Sequence, residues 1–329
     1  MKTLAALTAA ILLAVAASPL APSARAQDAY PNKPVRMVVA FAVGGATDIA
    51  ARLIAPKMTE VLGQQVIVEN RPGAGAVIGT DFVAKAPPDG YTMLLAEISS
   101  MAINPTLYKK IPYDSVTDLV PIGQVISSSF ILSVHVSVPA TDLKSFVALI
   151  KGNPGKYNYG SPGIGSMPHL CMEMLKTQAG NLDITHVPYR GAGPVMIDLA
   201  AGQINMSFPT PGTALPQIAA GTIRPIGAGP KTRERALPNL PTLEEQGLTG
   251  FECYNWFGLF VPAKTPKPVI DRLTTAMQAA VNDQTVQTRL LELGLEPTPN
   301  RTAEALGTLV RTERDKWAPI IRAMGTQLE

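Results

Sequence analysis

Phe41-Ala42-Val43-Gly44-Gly45-Ala46-Thr47-Asp48 decides how this chain is read, because it follows a buried β-rich run at 35–40 and opens onto a helical stretch at 48–62. A glycine-rich turn in that setting presents backbone N–H groups at the positive end of a helix dipole, which makes it a potential anion site. The arrangement returns at Tyr159-Gly160-Ser161-Pro162-Gly163-Ile164-Gly165-Ser166, between a strand at 157–159 and a helix at 168–178. Two such loops, more than a hundred residues apart, would form a cleft between two lobes if they face one another. That arrangement points to capture rather than catalysis.

Outward from these loops, short β-rich runs alternate with amphipathic stretches, the pattern of parallel α/β layers. Strands are expected at 65–69 and 91–96, and extended segments at 122–126 and 131–136 would carry the chain into a second lobe. There a helix at 143–151, a strand at 185–187, a helix at 195–201 and a strand at 204–208 are expected, and the run at 254–261 reads as a return to the first lobe. Helices at 268–282, 285–293 and 303–324 complete it. The predicted organisation is a signal segment at 1–26, a discontinuous lobe 1 at 27–128 and 252–329, and lobe 2 at 129–251. Two chain crossings would act as a hinge, and α/β proteins bind ligands at strand C-termini and lobe boundaries.

The first 26 residues predict export: Lys2 is a short basic start, 4–17 is almost uninterruptedly apolar, and Ala24-Arg25-Ala26 is a small-x-small cleavage pattern before Gln27. Ser18-Pro19 ends the run short of the roughly 20 residues that span a bilayer, so export with cleavage is expected rather than a membrane anchor. Of 28 basic residues, Lys2 and Arg25 would leave, so 26 face 25 acidic ones and the formal charge falls from +3 to +1. That balance gives no electrostatic reason to expect nucleic acid or an anionic membrane. With 46% apolar residues the chain can supply two cores. Cys171 and Cys253, 82 residues apart, show no framework spacing, so two buried thiols are favoured over the single disulfide that export permits.

The residues carry a family resemblance through Gly44-Gly45-Ala46-Thr47-Asp48-Ile49-Ala50-Ala51-Arg52, Glu69-Asn70-Arg71-Pro72-Gly73-Ala74-Gly75, Pro88-Asp89-Gly90-Tyr91-Thr92 and Ala102-Ile103-Asn104-Pro105-Thr106-Leu107-Tyr108. It continues through Tyr159-Gly160-Ser161-Pro162-Gly163, His169-Leu170 and His186-Val187-Pro188-Tyr189-Arg190-Gly191-Ala192-Gly193-Pro194. In that order and spacing the chain resembles the Bug-type periplasmic solute receptors of tripartite tricarboxylate transporters over nearly its whole mature length. The resemblance implies an α/β, two-lobed type II periplasmic-binding-protein fold that closes over a carboxylate in a cleft between its lobes. It also implies delivery to membrane permease subunits, no cofactor and a monomer.

Together these readings set the candidate ligand-binding residues. Gly44, Gly45 and Ala46 allow close backbone approach, and Thr47 or Asp48 can cap the next helix. Asp48 stays open between a cap and a group that, in the family, meets an amino or hydroxyl group of the ligand. Ser99 and Ser100, with Met101 and Asn104, follow a strand end where hydroxyls reach a carboxylate or serve turn chemistry. In the second lobe Ser161, Gly163, Ile164, Gly165, Ser166 and His169 repeat that chemistry, His169 being either a ligand group or a structural histidine, and Pro209 and Thr210 complete the wall. Against the family pattern, Val43 replaces a proline and Met167 another. Met101, Ile164 and Pro209 put apolar side chains where polar ones are common. Such walls favour an aromatic or medium-chain mono- or dicarboxylate over citrate, which would leave polar groups unpaired.

The alternative is a secreted α/β enzyme. Gly73-Ala74-Gly75-Ala76-Val77-Ile78-Gly79 is the feature a Rossmann oxidoreductase would use, yet Pro72 begins its turn and no acidic residue follows a second strand at the right spacing. A serine hydrolase would use Ser161 or Ser166 with His169, but there is no G-x-S-x-G elbow. His135, His169 and His186 lack metal-ligand spacing, and no C-x-x-C occurs. No enzyme activity and no metal are expected.

Overall fold

Short runs rich in branched and aromatic side chains build two sheets in the computed structural model, which describes residues 30–298, 301–325 and 327–328. The expected signal segment lies outside the described residues. In the first sheet β1 (Val35–Val39) lies parallel to β2 (Val66–Asn70) and β3 (Thr92–Glu97), with Val35 opposite Val66 and Arg36 opposite Thr92. β3 continues antiparallel into β10 (Tyr254–Pro262), then β4 (Leu119–Ser129), with β11 (Glu296–Pro297) at the edge. The second sheet, in the order β7, β6, β8, β5, β9, is formed by β5 (Ile131–His135), β6 (Asn158–Ser161), β7 (Thr185–Pro188), β8 (Met206–Ser207) and β9 (Ile223–Ala228). The first sheet therefore draws on 35–129 and 254–297, the second on 131–228.

Helices flank both sheets: α1 (Ala46–Leu62), α2 (Val77–Ala84), α3 (Asn104–Leu107), α4 (Leu143–Lys151), α5 (Met167–Gln178), α6 (Ala192–Ala200) and α7 (Pro211–Ala219). After β10 come α8 (Lys267–Asn282), α9 (Gln284–Glu292) and α10 (Ala303–Ala323). α4 starts where the sequence provides a capping box, Asp142 accepting from the Ser145 N–H while the Ser145 hydroxyl receives the Asp142 N–H. α10 buries Leu306, Val310, Glu313, Trp317 and Ile321, a helical stripe that packs on β4. Glu313 is tolerated there because it accepts from the Trp317 indole at 2.6 Å.

The short elements α3 and β11 and two longer ones, α7 and β9, escape the sequence reading. α7 opens on Pro211 and holds Pro216, and β9 contains Pro225, residues that argue against helix and strand. Pro211 is tolerated in the first turn, and β9 is an edge strand. Ser99 and Ser100, read as following a strand end in a turn or loop, belong to a π-helical turn, Ser99–Ile103, running into α3.

The sheets are joined where the chain crosses beside Phe130, Gly229 and Cys253. Gly229 donates to the Phe130 carbonyl and the Cys253 N–H donates to Gly229, each at 2.8 Å. A side chain at Gly229 would meet both the Phe130 and Cys253 carbonyls, so only glycine lets the crossings pair. The expectation of free thiols is corrected here: Cys171 of α5 and Cys253 form a disulfide with Cα atoms 5.7 Å apart. An 82-residue separation hides this, because only the folded crossing carries Cys253 back to α5.

Candidate functional site

The second glycine-rich loop meets the first sheet in a cleft of about 380 Å³. Gly163, Ile164, Gly165 and Ser166 form one wall, and Ser99 and Asn104 belong to the other. Gly165, at φ +78°, comes so close to Leu107 of α3 that a Cβ would collide with that side chain. Leu107 is itself buried and lines the cleft, so any shift it makes to relieve the contact changes the cleft wall.

The loop is held from within. The Gly163 N–H donates to the Ser161 hydroxyl, the Ser166 hydroxyl to the Gly163 carbonyl at 2.7 Å, and the Gly165 N–H to Nδ1 of His169 at 3.1 Å. His169 is therefore neutral with its proton on Nε2, stacked on His186 at 4.1 Å between ring centroids. Burial, aided by His186, pushes its pKa down to about 4. Ser161 bonds His186 at 2.7 Å rather than His169, and is buried. Neither Ser161 nor His169 lines the cleft. Among the described residues the N–H groups of Ile164 and Met167 and the Tyr108 hydroxyl have no partner. These are the donors left for a ligand, and the first two sit at the start of α5.

The first loop sends only Phe41 to the cleft. Gly44, Gly45 and Ala46 are exposed, and Asp48 is turned to structural work. It accepts from the Gly44 N–H at 2.9 Å, from Asn70 at 2.9 Å and from Arg52 at 3.0 Å. Burial works against its charge, but Arg52, Gly44 and Asn70 together hold its pKa below the usual range. Thr47 stands behind the wall, donating to Glu97 at 3.3 Å. Ser100 and Met101 are buried outside the cleft, Ser100 donating to the Glu97 carbonyl. The expected apolar contact at Met101 is a core contact, because the π-helical turn points it inward. Pro209 and Thr210 line a smaller apolar annex of about 120 Å³ with Val195 and Phe208, which shares Phe130, Pro162 and Pro168 with the main cleft.

The sequence reading misses Glu97, Asn255 and Tyr108. Glu97 ends β3, the position where strand C-termini meet ligands, and was legible on that ground. Asn255 could not be placed from sequence, since it arrives from β10 only through the pairing of Phe257 with Glu97. Glu97 accepts from Ser99 at 2.7 Å, Asn255 at 3.0 Å and Thr47. Burial raises its pKa, and those donors oppose the rise. Asn104 bonds the Gly75 carbonyl at 2.7 Å and so fixes the turn whose glycine makes room for the Tyr108 hydroxyl.

Among the described residues no helix is long and apolar enough to cross a membrane. Residues 50–326 match the TctC family, described as tripartite tricarboxylate transporter family receptor. The chain is also similar to three solved structures. The periplasmic binding protein BugD is 36% identical, with a TM-score of 0.77 over 91% of this chain and 100% of that one. R. palustris Rpa4515 with adipate is 32% identical, with a TM-score of 0.79 over 91% and 100%. MatC from Rhodopseudomonas palustris with bound malate is 31% identical, with a TM-score of 0.76 over 89% and 100%. The two sheets are the two lobes of a periplasmic-binding-protein fold, and these proteins are solute-binding receptors rather than enzymes. With a match spanning most of its length, the chain belongs to the tripartite tricarboxylate transporter receptor family.

Proposed function

We propose that this protein is exported, cleaved before Gln27, and captures a small organic carboxylate between lobe 1 (27–128 and 252–329) and lobe 2 (129–251) for delivery to transporter membrane subunits. The observation that carries this reading is the cleft itself: unpaired donors from both sides, Tyr108 opposite the Ile164 and Met167 N–H groups, with no lysine or arginine among its lining residues. Hydroxyl and backbone donors hold a carboxylate without a formal cation, and the helix start adds its dipole. Phe41, Phe130 and Ile164, with the apolar annex, fit a ligand with an aromatic or aliphatic body better than citrate. The adipate and malate of the two R. palustris proteins are carboxylates of this size class.

Closure would seat the ligand on one lobe and add contacts from the other; differential contact in the closed state is what shifts the equilibrium. Calorimetry on the mature monomer with benzoate-like acids, aliphatic mono- and diacids and citrate is expected to rank citrate last. Tight citrate binding with none by the others would sink the ligand reading. Small-angle scattering should show compaction on binding, and an unchanged radius would count against capture by closure.

A further inference from the structure

Glu97 is the one charged side chain that lines the main cleft, and the annex has none among the described residues. Three protein groups, the Ser99 and Thr47 hydroxyls and the Asn255 amide, donate to its two oxygens. These donors favour the ionised carboxylate against the burial that opposes it. Hydrogen bonds do not cancel the charge, and no lysine or arginine lines the cleft to do so. Arg52 of the adjoining helix is tied to Asp48. Beside Glu97, Asn255 gives its Nδ2 to that carboxylate and leaves Oδ1 buried with no donor. A buried acceptor without a partner is costly. One corner of the cleft thus holds a carboxylate with no cation beside it and one acceptor that lacks a donor, while Tyr108, Ile164 and Met167 offer donors that lack an acceptor.

Resting on the carboxylate reading above, we infer that Glu97 and Asn255 form a subsite for a cationic nitrogen, so that the ligand is an amino carboxylate rather than a plain acid or diacid. The ammonium neutralises Glu97 and reaches the Asn255 carbonyl oxygen, and the carboxylate meets the unpaired donors. A diacid brings a second negative charge into a cleft that already holds one, and opposes it with no cation. A plain acid leaves Glu97 and Asn255 as they are.

The test is calorimetry on the mature protein with matched four- to seven-carbon series: alkanoates, α,ω-diacids, α-amino acids and ω-amino acids, each also titrated into Glu97→Gln. The expected result is that one of the amino series binds at least tenfold more tightly than its alkanoate and diacid counterparts. In Glu97→Gln that preference falls to less than threefold, with diacid binding unchanged or improved. Thermal melting shows that the variant is folded, and Asn255→Ala, which leaves Glu97 in place, should lower amino-acid affinity more than alkanoate affinity. Diacids or alkanoates binding the native protein as tightly as amino acids would overturn the inference and leave the carboxylate reading standing. The same holds for diacid affinity that rises as pH falls, which would make Glu97 a protonated donor to a ligand carboxylate. Binding by none of the four series would overturn the inference, and if benzoate-like acids also fail to bind, the carboxylate reading falls with it.

Discussion

The two glycine-rich loops look alike in sequence and play different parts in the fold. Each follows a strand, opens a helix and carries glycine in the left-handed region, Gly44 at φ +86° and Gly165 at φ +78°. Yet Gly165 presses against Leu107 across the cleft, whereas nothing lies within 4 Å of where a Gly44 side chain would begin. The first loop uses Asp48 internally, on the Gly44 N–H, Arg52 and Asn70, with no side-chain cap on its helix start. The second ties its glycines to Ser161 and His169 and leaves other N–H groups open to the cleft. A loop motif therefore specifies a local conformation. Which loop faces a ligand is decided by what packs opposite.

The largest effect expected to test that contrast is on binding: Gly165→Ala should weaken ligand affinity a hundredfold or more, since closure would drive its Cβ into buried Leu107. Gly44→Ala should change affinity less than threefold while costing about 1–2 kcal/mol of stability for its left-handed backbone. Equal binding losses measured by calorimetry would erase the distinction. A second difference is covalent, because α5 is bonded to the crossing through Cys171 and Cys253 and α1 has no such tie. Replacing both cysteines by alanine should lower unfolding free energy in urea by about 2–4 kcal/mol, and an unchanged midpoint would show that packing alone holds α5.

Acid should separate the loops next. His169 is neutral in the folded protein with a pKa near 4, against about 6.5 when unfolded, so falling pH protonates the unfolded chain first. Stability from this group is complete above about pH 6.5 and is lost progressively toward pH 4, by about 3 kcal/mol in all. Protonating Nδ1 also removes the acceptor of the Gly165 N–H. Asp48 is shifted in the same direction but from a lower starting value, its pKa held below 3.8, so its contribution survives until pH falls toward that value. Urea unfolding from pH 7 to 4 should show this loss in the native protein and a flatter profile in His169→Gln; identical slopes would refute the assignment. The smallest effect is at the first loop, where Asp48→Ala should cost about 1 kcal/mol of stability, in the range of a lost helix cap. Binding should move less than threefold, and a larger loss would return Asp48 to the ligand.

Much of the architecture is legible because it is local. The helix at 143–151 is found to the residue, since Asp142, Ser145 and Gly152 mark its ends and Leu143, Phe146 and Ile150 its buried face. The strands at 35–39 and 254–262 follow from branched and aromatic runs. α7 and β9 are missed because proline signals a break unless its place, a first turn or a sheet edge, is already known. In the site, Ser99, Asn104 and 163–166 are legible as residues after strand ends. Met101 is read as a cleft residue from its place after a strand end, but the π-helical turn that forms there buries it in the core.

By itself the sequence determined the strand–loop–helix units and their capping, because these depend on backbone preferences and neighbours a few residues away. It also determined, through motifs held in order, the family. Tertiary structure alone decided that the second loop rather than the first lines the cleft, that Cys171 meets Cys253, and that Asn255 lies beside Glu97. Each of those depends on a sheet register, a chain crossing or a packing contact between residues 58 or more positions apart, and no local preference encodes a distance of that kind.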